Sequence, residues 1–316
     1  MISISEAASL LRGAGHVLII THVRPDGDAA GSGCALCLAL RKLGKTAYLA
    51  PNPNVMARYD KYLLPYYAPA GFAPDFIVAV DTPSPKQFPP GLEPLSCSTD
   101  LALDHHGSNS GYARATYLEP DSAAAGEIVF ELLPLLGVCL DADIAEALYT
   151  AVSTDTNCFR TQGTTPRTLR IAAALRDTGF DAYGLTHRLF EVRSAARLQL
   201  EAVLFAGMRF PEPGVCVMVL PYETVASCGA TENDMDKLST LTLAPEGAEV
   251  GILLRGLEDG TWKVTVRTDG RVNAGRITAC LGGGGHTDAA GAVISGEPAD
   301  LTASLLSALR SERNNG

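Results

Sequence analysis

The sequence has no dense run of lysine or arginine, and its formal charge is −10 with histidine neutral. A protein that grips long nucleic acid by its phosphates usually carries a basic stripe. Any nucleic-acid substrate is therefore expected to be short, and a long duplex is not expected as a partner. No apolar run reaches the length needed to span a bilayer, and no basic segment followed by an apolar one opens the chain in the manner of a secretory signal. Neither a membrane partner nor export is expected. Of the eight cysteines, only Cys34 and Cys37 stand in a C-x-x-C spacing. A zinc or redox site would want a second pair or an electropositive setting. The apolar stretch that holds them reads instead as a buried helix, with a reducing cytoplasm as the compartment. There is no internal repeat, and no low-complexity tract beyond the polar tail Ser311–Gly316.

What is present is a chain of 316 residues, 47% of them hydrophobic, long enough for two cores. An amphipathic helix over 3–13 precedes a buried strand, His16–Ile20. A polar loop follows, then a helix running to 43 that Gly44 stops, then a strand over 45–50: a βαβ opening. Residues 51–74 are rich in Pro and Tyr and give no assignment. Further strands are expected over Phe76–Val80 and 101–103, and helices over 122–136, 142–154, 166–177 and 181–206. After Gly207 the pattern turns to strands over Val215–Leu220, 249–255 and 262–267, with a hairpin signal at Asp259-Gly260, and a last helix covers 299–311. The expected class is α/β: a mostly parallel sheet flanked by helices over 1–190, a helical connector to about 207, and a smaller α/β domain over 208–316.

Chemistry-bearing residues recur at the ends of these elements. His22, Asp26 and Asp28 follow the first strand, Asp81 follows the strand over 76–80, and Asp104-His105-His106 follows the strand over 101–103. Asp155 follows the helix over 142–154. An Asp after a strand is often no more than a turn residue or helix N-cap, and Pro25-Asp26-Gly27-Asp28 alone would be read as a turn. Recurrence at four separate elements argues for a site, since open α/β sheets bind ligands beyond the carboxyl ends of their strands. Four carboxylates (Asp26, Asp28, Asp81, Asp155) gathered with His22 and His105 would repel one another without cations. A mixed N/O donor set suits two divalent ions, Mn²⁺ first, with Mg²⁺, Co²⁺ or Fe²⁺ as alternatives. Two metals about 3.5–4 Å apart form the usual clamp for in-line phosphoryl displacement, with hydroxide drawn from a shared water.

His22-x-x-x-Asp26-x-Asp28, Asp81, Asp104-His105-His106 and Asp155 together resemble the four motifs of the DHH phosphoesterase superfamily. Gly282-Gly283-Gly284-Gly285-His286, followed by Ala289-Ala290-Gly291, resembles the glycine-rich signature of its companion C-terminal domain. Among subfamilies the chain is most similar to the nanoRNase/pAp-phosphatase (NrnA-like) group, with the RecJ nucleases more distant. The resemblance implies that His22, Asp26 and Asp81 hold one Mn²⁺ and that Asp28, Asp81, His105 and Asp155 hold the other, with Asp81 as the bridge. Asp104 would orient a ligand imidazole, and His106 would face the scissile phosphate as ligand or general acid.

Asn109 is a candidate substrate contact, with Arg114 further along the same loop. Gly283, Gly284 and Gly285 would offer backbone N–H groups to an anion. His286 would meet a phosphate across the cleft between the domains, with Arg267 as its basic partner and Arg193 as a weaker candidate. The implied substrates are short oligoribonucleotides, linear dinucleotides such as pApA or pGpG, and pAp; a homodimer stays open. Three positions depart from the family pattern: the Ser122–Ala125 stretch, Asn157 where Gly is common, and Thr268 where Ser is usual. Two other functions make different demands on the sequence. A pyrophosphatase or polyphosphatase on the same metal core calls for a second domain richer in Lys and Arg, and a non-catalytic nucleotide sensor calls for loss of a metal ligand, whereas all six are present.

Overall fold

The computed structural model describes residues 1–315, with side chains through Asn314, so Gly316 of the polar tail lies outside the described residues. The chain forms two compact units, Met1–Val192 and Arg193–Gly316.

In the first unit α1 (Ile4–Gly13) opens with a capping box, in which Ser3 Oγ accepts from Glu6 N–H and the Glu6 carboxylate accepts from Ser3 N–H. Then come β1 (His16–Ile20), α2 (Gly27–Lys42) and β2 (Thr46–Leu49). Residues 51–74, unassigned from sequence, fold into short helical turns including α3 (Asp60–Leu63), and bury Tyr59, Tyr62 and Leu63. Next in order are β3 (Phe76–Val80), β4 (Leu101–Asp104), β5 (Ala115–Leu118), α4 (Ala125–Leu136), α5 (Ala142–Asp155), α6 (Pro166–Arg176) and α7 (Ala182–Thr186). The strands form a parallel sheet of order β2-β1-β3-β4-β5. Since β2 lies on one side of β1 and β3 on the other, the strand order reverses at β1, and a crevice is expected at the carboxyl ends of β1 and β3. The edge strand β5 was not expected. Its four residues bury only Thr116, so they carry no apolar run.

Small residues set the helix packing on this sheet. A Cβ on Gly27 would lie 2.2 Å from Thr154 Oγ1, and one on Gly31 would lie 2.3 Å from Ala147 O. The missing side chains let α2 and α5 touch backbone to backbone, which draws the first turn of α2 against the last turn of α5. Cys34 and Cys37 are buried in the same core, and burial pushes the Cys37 thiol up to about 11. Neither thiol suits redox chemistry.

The helix expected over 181–206 is interrupted. After α7 the chain makes one wide π turn at His187–Glu191, and α8 (Ala195–Ala206) starts afresh. Ser194 is the cause, for its Oγ accepts the Arg197 N–H at 2.9 Å as an N-cap. This helix, expected as part of the connector up to about 207, falls in the second unit. There Leu200 and Leu204 pack with Met218 and Leu220. The unit continues with β6 (Arg209–Glu212), β7 (Val215–Leu220), α9 (Tyr222–Ser227), β8 (Val250–Gly256), β9 (Trp262–Thr268), α10 (Ala274–Thr278), β10 (Gly284–Gly285), β11 (Ala289–Ile294) and α11 (Pro298–Asn315). Its sheet has the order β10-β11-β9-β8-β7-β6, parallel only between β7 and β8. Val250, Ile252, Val264 and Val266 pack against Leu305 and Leu309 of α11. Among the described residues no helix is long and apolar enough to cross a membrane.

Candidate active site

The carboxyl ends of β1, β3 and β4 and the last turn of α5 bring His22, Asp26, Asp28, Asp81, His105 and Asp155 together. His22 Nε2 lies 3.8 Å from Asp26 Oδ1 and 3.7 Å from Asp81 Oδ2. His105 Nε2 lies 3.5 Å from the other Asp81 oxygen, Oδ1, 3.7 Å from Asp28 Oδ2 and 3.5 Å from Asp155 Oδ2. The six residues thus fall into two sets, His22-Asp26-Asp81 and Asp28-His105-Asp155, with one Asp81 oxygen turned to each.

Backbone devices hold these carboxylates. Asp81 itself sits at φ +54°, a left-handed conformation that costs a non-glycine residue about 1–2 kcal/mol. Its N–H donates to Leu103 O at 3.0 Å, which fixes the turn. Asp26 is both cluster member and N-cap, since Oδ1 accepts from Asp28 and Ala29 N–H at 3.0 and 3.1 Å. An N-cap role thus does not take Asp26 out of the cluster. Asp28 accepts the N–H groups of Ala125 and Gly126 at 2.6 and 2.9 Å. It therefore supplies from α2 the cap that α4 lacks locally, which is why α4 begins at Ala125 and not at 122.

Charge is stored in this cluster. Burial, together with the charges of Asp81 and Asp155, holds the Asp28 carboxyl well above its usual range. Burial and the charges of Asp26 and Asp81 push Asp155 up to about 6, against the pull of His105. Burial opposes a charge on His105, but the facing carboxylate of Asp81, 3.5 Å away, and those of Asp28 and Asp155 raise it to about 10. The cluster needs positive charge, and protons fill that need when nothing else does.

The donor set fits divalent metal. Asp81 Oδ1 is buried and accepts no hydrogen bond, an arrangement that costs free energy unless a cation takes the lone pairs. The separations of 3.5–3.8 Å between facing ligand atoms exceed a hydrogen bond. They are close to the roughly 3–3.5 Å expected between two ligands each about 2.1 Å from one ion.

Asp104 is fully buried and gathers donors instead. Oδ1 accepts from the N–H of His105 (2.8 Å), the N–H of His106 (3.1 Å) and His106 Nδ1 (2.8 Å), and Oδ2 accepts from Asn109 Nδ2 (2.6 Å). Burial would raise the carboxyl, but the His106 and Asn109 hydrogen bonds outweigh it and lower its pKa. The imidazole that Asp104 orients is thus His106, while His105 is oriented by the carbonyl of Ser122, 3.1 Å from its Nδ1. Because His106 Nδ1 is committed to Asp104, it makes a poor metal donor although Asp81 Oδ1 lies 3.4 Å away. The same hydrogen bond raises the pKa of His106.

The expected substrate contacts fare differently. Asn109, expected to touch substrate, gives its amide to Asp104 and accepts the Gly111 N–H at 2.8 Å, so it supports the site from behind. Arg114 pairs with Asp100 (2.7 Å) and Arg193 with Glu201 (2.7 Å). In the second unit Arg267 Nε donates to Ser239 Oγ at 3.1 Å, and Gly284, Gly285 and His286 are exposed.

Of the three glycines expected to offer N–H groups to an anion, Gly283 spends its own on the fold. The N–H groups of Gly282, Gly283 and His286 donate to Ala279 O, Thr278 O and Ala289 O. Gly283 and Gly285 are needed for close approach, since a Cβ at either would come within 2.5 Å of a carbonyl oxygen, on Gly291 or Ala289. Asn157 has φ +47°, within the left-handed region that Asn tolerates, so a glycine is dispensable there. Thr268 Oγ1 bonds the Val272 and Thr287 carbonyls, as a serine hydroxyl could. A cavity of about 350 Å³ opens on the cluster, and its lining adds Arg24 and Gln87 to the residues expected. The signal for Arg24 was its place between His22 and Asp26; Gln87 ends a single 3-10 turn, Pro85–Gln87, with no pattern in the sequence to mark it.

Residues 16–152 match the DHH family, N-terminal domain, and residues 214–312 match the DHHA1 domain. The bifunctional oligoribonuclease and PAP phosphatase NrnA of Thermus thermophilus is 36% identical over 302 residues, which span 94% of this chain and 90% of that protein. The chain belongs to the DHH family. A Bacillus subtilis DHH relative with the same name is 25% identical over 283 residues, covering 88% of this chain and 89% of that one. The crystal structure of an exopolyphosphatase-related protein from Bacteroides fragilis superposes with a TM-score of 0.85 at 22% identity, covering 98% of this chain and 95% of that one. RecJ of T. thermophilus, solved in complex with Mn²⁺, gives a TM-score of 0.54 at 17% identity over 97% of this chain and 55% of that one. These two likenesses establish a shared fold.

Proposed function

We propose that this DHH protein hydrolyses phosphate esters of short oligoribonucleotides, linear dinucleotides and pAp, with two divalent cations, Mn²⁺ first among them. The observation that carries the reading is Asp81. It sits at the centre of the cluster with one oxygen toward each His/Asp set, and the buried one accepts no hydrogen bond. His22, Asp26 and Asp81 would hold one ion, and Asp28, Asp81, His105 and Asp155 the other. Bound there, the ions would supply acidity to an attacking water and neutralise charge on the phosphate oxygens.

The chain's own residues do the remainder. His106 is fixed by Asp104 through Nδ1, which leaves Nε2 free to hand a proton to the leaving oxygen, and its raised pKa keeps that proton available near neutral pH. Asp104 and Asn109 hold the His106 ring in place. Arg24, at the rim of the cavity, takes a phosphate oxygen of the substrate. Arg267 and His286 are the second unit's groups for binding a phosphate. The acidity of the chain disfavours long polyanions, and eight unpaired cysteines suit a reducing cytoplasm.

A hydrolysis panel of pAp, pApA, pGpG, a short RNA oligomer and pyrophosphate, each with and without Mn²⁺, tests the reading. Metal-dependent turnover of the nucleotide substrates is expected. Turnover of pyrophosphate alone would move the protein to another phosphohydrolase class, and nucleotide binding without turnover would make it a sensor.

A further inference from the structure

His105 points its two ring nitrogens at different partners. Nε2 faces Asp28, Asp81 and Asp155, while Nδ1 lies 3.1 Å from the carbonyl oxygen of Ser122. A carbonyl can only accept, so Nδ1 carries the proton and Nε2 is left with its lone pair toward the carboxylates when a cation sits between them. The other pole of that same peptide unit is also occupied. The N–H of Ala123 donates to Glu127 Oε2 at 3.3 Å. One peptide group therefore joins the Glu127 carboxylate to the His105 imidazole.

Glu127 is fully buried, on the first turn of α4, and its Oε1 accepts no hydrogen bond. Its counter-charge is Arg167 of α6, with Nε 3.7 Å from Glu127 Oε2 and 2.8 Å from Glu131 Oε1, neither aligned as a hydrogen bond. A buried carboxylate with one oxygen unfilled is costly, and a packed apolar side chain in its place would often be neutral or stabilising. Packing alone gives no reason for an acid at this position.

We propose that Glu127 is a positioning residue for His105 that acts through the Ser122–Ala123 peptide. Its carboxylate polarises the peptide and strengthens the acceptor at Ser122 O. That bond fixes the ring plane and the Nδ1–H tautomer, and makes Nε2 a better electron donor. Arg167 holds the carboxylate in place. This inference rests on His105 being a metal ligand, as proposed above.

The test uses metal-free full-length protein: wild type, Glu127→Gln and Glu127→Ala. Mn²⁺ affinity is read by calorimetry on the metal-free protein, and the His105 tautomer by long-range ¹H–¹⁵N NMR after diamagnetic Mg²⁺ has been added. The wild type is expected to bind Mn²⁺ and to carry its His105 proton on Nδ1. Glu127→Gln should weaken Mn²⁺ binding about 10-fold, in the range seen when partners of ligating histidines are removed. Glu127→Ala should weaken it further, and the substrate KM at saturating Mn²⁺ should hold. Unchanged Mn²⁺ affinity in folded Glu127→Gln protein, whatever its Tm, overturns the inference and leaves the metal site standing. A wild type that binds no Mn²⁺ overturns the site and the inference together. Should neither variant fold, the wild type decides. A proton on Nδ1 with an Ala123 amide protected from exchange supports the relay, and a ring lacking a proton on Nδ1 or a freely exchanging Ala123 amide overturns it.

Discussion

In the first unit Asp28, Asp81 and Asp104 are almost sealed from solvent and His22, His105 and His106 crowd around them, whereas in the second Gly284, Gly285 and His286 stand in the open. The two regions solve different problems. The first collects like charges at the carboxyl ends of strands, where Asp26, Asp28 and Asp104 accept backbone N–H groups, and the collection has to be balanced from outside. The second spends its glycines on close packing of β10 against β11 and leaves a histidine edge free. On the proposed reading, reactivity needs the sealed, over-determined arrangement, while recognition of a substrate end asks only for a firm edge and one or two cations.

That contrast can be broken from either side. The largest effect is expected from Asp81→Asn, which tolerates φ +54° but loses the charge shared by the two sets. Turnover should fall by about three orders of magnitude, the equivalent of roughly 4 kcal/mol of lost transition-state stabilisation, with the circular dichroism spectrum unchanged. Near-wild-type activity with Mn²⁺ would remove Asp81 as the bridge.

Next comes Gly285→Ala, whose Cβ would lie 2.5 Å from Ala289 O. It should cost about 1–3 kcal/mol by overpacking, read as a lower Tm, while Mn²⁺ still binds the first unit. A Tm within error of wild type would mean that β10 has room to move.

Arg267→Ala should raise KM about 10-fold with kcat held, as loss of one charge-assisted phosphate contact would. An unchanged KM would take Arg267 out of the site.

The smallest effect is in pH. Asp155 titrates near 6 in the folded chain and near 3.9 when unfolded. Between those values the folded chain keeps a proton that the unfolded one releases, so Asp155 makes metal-free protein less stable as pH rises from about 4 to about 6. His105, raised to about 10, contributes stability that is whole below about 6.5 and lost as pH climbs through about 10. An incoming cation must displace such protons. Mn²⁺ should therefore raise Tm by more at pH 8 than at pH 5, and a pH-independent increment would count against both residues as ligands.

The cluster was legible because each member follows an apolar run or an amphipathic helix, and local pattern is what a sequence carries. His22, Asp81 and His105 needed only β1, β3 and β4 to be recognised. The supports were not legible, since they are tertiary. Nothing near Ala125 says that Asp28 caps α4 from 97 residues away. Nothing in Asn109 says that it faces Asp104 rather than a substrate, and Glu127 looks like an ordinary first-turn acid until the Ser122–Ala123 peptide is seen between it and His105. The same limit applies to the fold. β5 has no apolar run to announce it, and the break between α7 and α8 rests on one serine hydroxyl within an otherwise helical pattern.

The seam between α2 and α5 works as a gauge for the site. Gly27 and Gly31 admit Thr154 and the backbone at Ala147 with no side chain between them, and that contact sets how near Asp155 can come to Asp28. One added methyl group there would push the two helices apart and open the Asp28-His105-Asp155 set before any of its members was changed. The spacing of the proposed ligands is thus written in atoms the chain leaves out, some distance from the carboxylates themselves.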